Sequence, residues 1–375
     1  MQNTPLAGLK VIELARILAG PWVGQTLSDL GADVIKVESP EGDDTRKWGP
    51  PFIDVEGEQS AAYFHACNRG KRSIVADFRS DKGREIVRRL VADADVVIEN
   101  FKLGGLEKYG LDYESLKAIN PRLIYCSITG FGHTGPYAER AGYDFMIQGM
   151  GGIMDLTGEP DREPQKIGVA FADIFTGLYS VIAIQSALIM RERTGKGQHI
   201  DMALFDCMSA VLANQAMNYL ASGVSPKRMG NAHPNIAPYQ TLPVADGYFI
   251  IACGNDGQFA KLTALLGIGE LASDSRFLTN SARVTNRDAL TALLEERTKQ
   301  WLRDDLLAAL AKAGVPAGPI NTVEDVFSDP QFIARNMRID PDGVPGLRTP
   351  IRFSDAELKL DKRSPNLGEH SSDIS

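Results

Sequence analysis

The sequence contains few of the residues that hold metal ions or form disulfides: five histidines and four cysteines among 375 residues. The cysteines are widely spaced, at Cys67, Cys126, Cys207 and Cys253, and no two of them form a CxxC pair. This spacing argues against a disulfide framework and against a zinc site, so we expect no bound metal. Such cysteine usage is typical of a reducing compartment, and we expect a cytoplasmic protein.

Positive charge is also scarce. The chain has 40 Lys and Arg against 48 Asp and Glu, which gives a formal net charge of -8 at pH 7. Binding along a nucleic-acid duplex requires a basic surface, so we do not expect a nucleic-acid partner. The first residues, MQNTPLAGLKVIEL, lack the basic flank and the continuous apolar core of a signal peptide.

Long apolar runs are rare, and the longest one, residues 167–190, contains a single charged residue, Asp173. This run is long enough to span a bilayer. However, polar and small residues interrupt it, namely Thr176, Gly177, Ser180 and Gln185. No other segment of the chain resembles a membrane span. We therefore expect a buried helix here and no membrane partner.

Strands that alternate with helices make up most of the first 200 residues. Apolar runs predict strands at 9–14, 32–38, 71–78, 95–100, 122–130 and 197–204. Helical patterns fall between or after them, at 20–31, 81–94, 112–120, 167–193 and 205–223. This alternation is typical of an α/β fold with a doubly wound parallel sheet.

The sequence changes character at about residue 224. Residues 224–247 are rich in Pro and Gly and read as a linker into a smaller α/β unit. We expect in this unit strands at 248–254 and 314–320 and helices across 257–267 and 288–313. The predicted domains are therefore 1–224, 225–323 and a C-terminal segment, 324–375, that returns to the large domain.

A GxGxxG pattern occurs at Gly130, Gly132 and Gly135, directly after a predicted strand. A dinucleotide site needs the third glycine to lie inside an opening helix. Here Pro136 follows at once, and no clean helical pattern comes after it. The pattern favours an irregular loop beside a ligand and leaves a nicotinamide-dependent dehydrogenase as a weaker alternative.

Basic residues follow several of the predicted strands. Arg16, Arg79 and Lys102 each come just after the carboxyl end of a strand. In open parallel sheets, ligands bind outside these strand ends, where the loops converge. Any one of these residues is more simply interpreted as a solvated surface charge, but together they favour a phosphate-rich nucleotide.

Asp173 lies near the start of the predicted helix, with Thr176, Gly177 and Ser180 on the same helical face. One interpretation is a helix cap that accepts backbone N–H bonds. The other is a covalent nucleophile, because the face of small residues would suit a bulky ligand or a closely packed helix. The residue types alone leave both open.

Several longer motifs extend along the whole chain. They are LKVIELARILAGPWVGQTLSDLGADVIKVESPEGDDTRKWGPP, NRGKRSI, VVIENF, LDYESLKAINPRLIYCSITGFGHTGP, GYDF, RTGKGQHIDMALFD and NLGEH. Together they resemble the class III coenzyme A transferases, the family that includes formyl-CoA transferase and has α-methylacyl-CoA racemase as a sister branch.

The resemblance implies that Asp173 is the catalytic nucleophile. It also implies a set of coenzyme-binding residues: Arg16, Ile17, Ala19, Asp77, Arg79, Asn100, Phe101, Lys108, Arg140 and Tyr143. The first three of these would line the adenine and ribose end of the coenzyme. The family's fold implies an interlocked homodimer with threaded chains. The implied substrates are an acyl-CoA and a small carboxylic acid, with no tightly bound cofactor.

The resemblance gives the reaction class but does not by itself identify the acyl-CoA donor and the acid acceptor. We expect succinyl-CoA as donor and a short dicarboxylate such as glutarate as acceptor, with Arg46 as a candidate for holding the distal carboxylate. The loop with Gly254 and Gly257 is a candidate lid, although it differs from the glycine-rich loop of formyl-CoA transferase. Racemization is the main alternative, but the racemase branch has a histidine where this chain has Tyr143, and His133 is not at the matching position.

Overall fold

Six parallel strands form the central sheet of the protein, in a computed structural model that describes residues 3–374. The strands, in chain order, are β1 (Lys10–Glu13), β2 (Asp33–Glu38), β3 (Phe52–Val55), β4 (Glu58–Ala61), β5 (Arg72–Val75), β6 (Val96–Glu99), β7 (Ile124–Thr129), β8 (Gln198–Ala203), β9 (Tyr239–Val244), β10 (Gly247–Ala252), β11 (Ala317–Gly318), β12 (Arg338–Ile339) and β13 (Gly346–Leu347).

The α-helices that accompany these strands are α1 (Ala19–Asp29), α2 (Ala62–His65), α3 (Asp81–Ala92), α4 (Tyr113–Ile119), α5 (Asp144–Met150), α6 (Ile153–Leu156), α7 (Phe171–Thr194), α8 (Leu204–Ala210), α9 (Ala213–Ser222), α10 (Asp256–Leu265), α11 (Asn280–Thr285), α12 (Arg287–Thr298), α13 (Arg303–Ala313), α14 (Val323–Ser328) and α15 (Pro330–Ala334).

The order of the large sheet is β5-β2-β1-β6-β7-β8, and all neighbouring strands are parallel. The chain builds outward from β1 in one direction and then from β6 in the other. The predicted α/β fold with a parallel sheet is thus confirmed. Its topological switch point lies between β1 and β6, which is where ligands bind in open sheets of this type.

Two apolar layers cover the faces of this sheet. Val11, Val96 and Ile124 face the layer that contains α1, α7 and α8. Ile12 and Val97 face the opposite layer, which contains α3 and α4. Successive strand residues thus point to opposite faces, and both faces are buried, which explains why the strands read as continuous apolar runs.

The chain divides into two compact units. The first comprises 1–153, 166–221 and 330–375, and the second comprises 154–165 and 222–329. Within the first unit, the C-terminal segment is hydrogen-bonded to α1 and to β5: Lys359 N donates to Asp29 O, and His370 N donates to Ser73 O. The predicted domains, 1–224, 225–323 and 324–375, remain a prediction.

The second unit contains an antiparallel sheet of order β11-β10-β9. Strand β9 lies within the segment that was predicted to be a linker. Its Pro243 argues against a strand in the middle of a sheet, but β9 is an edge strand, where proline is tolerated. The predicted linker of 224–247 is therefore wrong over Tyr239–Val244, and the strand predicted at 314–320 is only Ala317–Gly318.

Two predicted helices are each divided in the structure. The helix predicted over 205–223 is α8 and α9, with Ala213 at a φ of 44° where the second begins. The helix predicted over 288–313 is α12 and α13, and the Asp246 carboxylate accepts the Arg303 amide where α13 begins. No glycine or proline marks either break, so the apolar periodicity alone could not show them.

Helix α7 has two different faces. Within residues 3–374 it is the one helix that is long and apolar enough to cross a membrane on length and composition. In this chain Ala172 and Ile184 are buried in the core, whereas Ile182, Ile189 and Met190 are exposed. The prediction of a buried helix therefore holds for one face of α7 only.

Candidate active site

A groove of about 390 Å³ lies in the first unit, at the carboxyl ends of β1, β6 and β7. Nine of the eleven predicted site residues line it: Arg16, Ile17, Ala19, Asn100, Phe101, Lys108, Arg140, Tyr143 and Asp173. They come from segments far apart in sequence. The parallel sheet brings these segments together at the switch point, as the strand-end argument requires.

The other two predicted residues, Asp77 and Arg79, line an adjacent groove of about 200 Å³. The two grooves have Arg16, Phe101 and Tyr109 in common. Asp77 and Arg79 form an exposed ion pair, with Nε of Arg79 2.9 Å from Oδ1 of Asp77. Hydrogen bonds from Arg79 lower the pKa of Asp77.

The groove wall after β1 is held by Asn100. The Asn100 side chain accepts from the Arg16 amide at 2.9 Å and donates to the Arg16 carbonyl oxygen at 2.6 Å. Both polar groups of this amide are therefore used to fix the backbone of Arg16. Asn100 thus shapes the groove wall.

Asp173 is the third residue of α7, and its neighbour in space is Asp144, the first residue of α5. The Asp144 carboxylate oxygen Oδ1 accepts from the Ala172 amide at 2.8 Å and from the Asp173 amide at 3.4 Å. The free amides at the start of α7 are thus capped by Asp144. The interpretation of Asp173 as the cap of its own helix is wrong.

The charge of Asp173 is disfavoured by its surroundings. Burial, and then repulsion from Asp144, raise its pKa to about 7. Amides at the start of a helix would lower the pKa of a carboxylate that they bond, but here Asp144 accepts the amides of Ala172 and Asp173, so they do not hold the pKa of Asp173 down. Asp144 itself was not identified from the sequence, although it follows the predicted Tyr143 directly in GYDF.

The small residues beside Asp173 serve helix packing. A Cβ at Gly177 would lie 3.1 Å from both the Ala19 carbonyl oxygen and Cδ1 of Trp22. Thr176 and Ser180 are buried, and their hydroxyls donate to carbonyl oxygens one turn earlier in α7. Of the two explanations for a small face, close packing against α1 is therefore the correct one.

The GxGxxG stretch also has a packing explanation. A Cβ at Gly130 would lie 2.5 Å from the Cα of Gly142, so these two backbones are in direct contact. Gly132 and Gly135 have φ values of 82° and 92°, a region that favours glycine. No helix opens at Gly135, so this loop lacks the geometry of a dinucleotide fingerprint.

One predicted role is contradicted. Arg46, the candidate for the distal carboxylate, is buried and forms a bidentate pair with Glu38, with Nε and Nη2 at 2.8 and 2.7 Å. It is therefore not available to a substrate. His133, which was not expected to be a second base, lines an adjacent pocket with His199 and does not line the groove of Asp173.

The candidate lid is shorter than expected. Gly257 lies in the first turn of α10, and the Asn255 side chain caps this helix by accepting the Gln258 amide at 2.9 Å. Only 253–255 remain as a loop before the helix.

Within residues 3–374, no three His, Cys, Asp or Glu side chains lie close enough together to hold a metal ion. The four cysteines are free and buried.

Comparisons with known proteins agree with this architecture. Residues 6–371 match the family described as CoA-transferase family III. A crystal structure of a CAIB/BAIF family protein from Brucella suis is similar, with a TM-score of 0.91 and 89% identity, covering 100% of this chain and 99% of that one. A structure from M. tuberculosis has a TM-score of 0.89 at 30% identity, with 100% of both chains covered.

Curated relatives match over the same length. The succinate–glutarate CoA-transferase of Agrobacterium fabrum is 61% identical, over 100% of this chain and 95% of its own. The mouse succinyl-CoA:glutarate CoA-transferase is 42% identical, over 99% and 85%. An acetyl-CoA:oxalate CoA-transferase of Acetobacter aceti is 44% identical, over 93% and 89%. The chain therefore belongs to CoA-transferase family III.

Proposed function

We propose that this enzyme transfers coenzyme A from succinyl-CoA to glutarate through Asp173. The observation that carries the proposal is the position of Asp173 in a groove whose walls contain eight of the ten predicted coenzyme residues. The substrates are those named for the 61% identical relative. An acyl-CoA acts as substrate, and no bound cofactor is needed.

The proposed reaction consists of exchanges at one carboxylate. An oxygen of Asp173 attacks the thioester carbonyl of succinyl-CoA, and the C–S bond breaks to give a mixed anhydride and CoA thiolate. The thiolate then attacks the Asp173 carbonyl carbon, which releases succinate and leaves an aspartyl-CoA thioester. Glutarate attacks this thioester, and the same steps in reverse give glutaryl-CoA and free Asp173.

The groove fits an anionic coenzyme. Its wall includes the cations Arg16, Lys102, Lys108 and Arg140. The Arg140 guanidinium lies 4.5 Å from the centre of the Tyr137 ring, which holds it in place. These charges suit phosphate groups, while Asp173 and Asp144 lie in the same groove where the thioester would react.

Racemization is less well supported. It requires two acid/base groups, one on each side of the α-carbon. Tyr143 stands where the racemase branch has histidine, and His133 lies in another pocket.

The substrates are tested by incubating the enzyme with succinyl-CoA and a panel of acids, then separating the CoA esters by chromatography. We expect the highest kcat/KM with glutarate. A higher kcat/KM for monocarboxylates or for oxalate would contradict the substrate assignment, and α-proton exchange in D₂O without CoA transfer would instead indicate a racemase.

We also propose an interlocked homodimer in a reducing compartment, the cytoplasm. The exposed apolar face of α7 supports an interface, because Leu178, Ile182, Ile189 and Met190 are 41%, 58%, 66% and 46% exposed in the single chain. An apolar surface of this kind on one helix is typical of a protein–protein contact. The four buried free thiols are compatible with a reducing compartment.

A further inference from the structure

The turn between β1 and α1 has an unfavourable backbone conformation. Ile17, which lines the groove, has a φ of 72°. A β-branched residue rarely adopts this left-handed conformation, because its side chain meets its own backbone. Such a conformation persists only when surrounding groups hold it, and it is often found where a protein contacts a ligand.

Side chains from distant elements hold this turn. The Ile17 amide donates to the two carboxylate oxygens of Asp43, at 3.3 and 3.2 Å. The Ala15 carbonyl oxygen accepts from Nζ of Lys36 at 2.8 Å. Together with Asn100 on Arg16, these bonds fix three consecutive residues of the turn.

The two holding residues are themselves buried and paired. Nζ of Lys36 lies 2.9 Å from Oδ2 of Asp43 and 3.0 Å from Oε1 of Glu13. Asp43 also accepts from the Thr45 amide at 3.0 Å and from the Thr45 hydroxyl at 2.8 Å. Neither ion can move without leaving a buried charge or donor unpaired, which makes the arrangement stiff.

The turn connects this buried pair to the reacting centre. Ala19 follows the turn, and its carbonyl oxygen packs directly against Gly177, one helical turn beyond Asp173 in α7. A change in the turn would thus alter both the coenzyme groove and the support of the helix that carries the nucleophile.

We propose that Lys36 and Asp43 are positioning residues, which hold the 15–17 turn in its coenzyme-binding shape before the coenzyme arrives. This inference rests on the proposed function, since it assigns the turn to coenzyme binding. Lys36 and Asp43 act through the backbone of the turn. Preorganisation of this kind strengthens binding because the free protein has already ordered the contact surface.

The chain offers a matched control. Asp29 forms a comparable buried ion pair with Arg69, at 2.6 Å between Oδ2 and Nη2, in the same unit and at the end of α1. The Asp29 side chain accepts hydrogen bonds from Arg69 and Thr349, neither of which belongs to the 15–17 turn. Its loss should destabilise the fold through the same mechanism without changing the groove.

The experiment compares Asp43→Ala with Asp29→Ala by titration of CoA, by steady-state kinetics and by urea unfolding. Both variants should be less stable than wild type. We expect CoA to bind Asp43→Ala about 10- to 100-fold more weakly, with a higher KM for acyl-CoA and a smaller change in kcat at saturation. Asp29→Ala should bind CoA within about two-fold of wild type, since distant sites act independently.

A conservative change provides a rescue. Asp43→Asn keeps an acceptor oxygen for the Ile17 amide, so it should recover part of the CoA affinity that Asp43→Ala loses. Equal CoA affinity in Asp43→Ala and Asp29→Ala would overturn the positioning role. If wild type itself neither binds CoA nor transfers it, the proposed function fails instead, so the two failures are distinguishable.

A measurement on the wild-type protein covers the case in which Asp43→Ala does not fold. Hydrogen exchange of the peptide containing Ile17 should show a protected amide before CoA is added, with little further protection afterwards. An amide that exchanges freely without CoA and becomes protected only with CoA would show that the turn is not preformed, and the proposal would be wrong.

Discussion

At the scale of single residues, the carboxylates of Asp173 in α7 and Asp144 in α5 lie near each other but have different surroundings. Asp144 accepts backbone amides of α7 and a hydrogen bond from the Gln148 side chain at 2.8 Å, so its charge is compensated by donors. Asp173 is desolvated and repelled by Asp144, which raises its pKa to about 7. Asp144 thus has the role of the cap, whereas the charge of Asp173 is poorly compensated, which fits its proposed role as nucleophile.

This difference predicts a pH dependence of the first half-reaction. A nucleophilic carboxylate must be ionised, and Asp173 is increasingly protonated as the pH falls through about 7. Because kcat/KM reports ionisations of the free enzyme, kcat/KM for succinyl-CoA should fall below that pH and level off above it. A profile that stays flat between about pH 5 and pH 8 would contradict the raised pKa.

Changing Asp144 to Asn should move this profile. The amide keeps an oxygen that can accept the Ala172 amide, but it removes the negative charge beside Asp173. The pKa of Asp173 should fall, and the acid limb of kcat/KM should shift to lower pH. Asp112→Asn is the matched control, because Asp112 caps α4 by accepting the Ser115 amide and lies outside the groove. The pH profile of kcat/KM for this control should equal that of wild type. An unshifted limb in Asp144→Asn would show that Asp144 has no electrostatic effect on Asp173.

At the scale of elements, the sequence predicts the central strands well. Strands β1, β2, β6 and β7 lie within the predicted ranges, because apolar runs bounded by turn residues are unambiguous when both faces of a sheet are buried. The breaks in 205–223 and 288–313 were not predictable from periodicity. They depend on contacts made by the folded chain, such as that of Asp246 with Arg303.

The predicted site residues meet at one edge because sheet topology follows from the alternation of strands and helices. Asp144, Lys36 and Asp43 were missed, since their roles depend on pairing in space. A signal for Lys36 was present: the lysine interrupts the apolar strand DVIKVE, and a buried strand charge requires a partner. In the structure Lys36 lies directly beside Glu13 in the β1–β2 register.

The close contact between α1 and α7 predicts a strong effect at Gly177. A leucine there would overlap the Ala19 carbonyl oxygen and Trp22, so α7 would have to move away from α1. Gly177→Leu should lower the free energy of unfolding by about 1–3 kcal/mol, measured by urea denaturation, and should reduce transfer activity. Gly168→Leu makes the same change where a Cβ would meet nothing within 4 Å, and it should leave stability near that of wild type. Equal stability of the two variants would contradict the close packing of α1 on α7.

At the scale of the whole molecule, the exposed apolar face of α7 supports the proposed dimer interface. Threaded chains cannot separate without unfolding, so the proposed dimer should persist on dilution to nanomolar protein. Light scattering and mass photometry should give twice the mass of the 40.8 kDa chain at every concentration. A stable, folded monomer at nanomolar concentration would exclude the interlocked assembly.

We propose that Asp173 becomes covalently attached to coenzyme A during turnover. The direct measurement is mass spectrometry of peptides from enzyme that is quenched during reaction with succinyl-CoA, with and without hydroxylamine. We predict a hydroxylamine-sensitive modification on the peptide containing Asp173. Asp173→Asn should fold, dimerise and bind CoA, yet lose transfer by several orders of magnitude, because an amide cannot form the anhydride. A label on another residue, or near-normal transfer by the Asn variant, would contradict the assignment of Asp173 as the nucleophile.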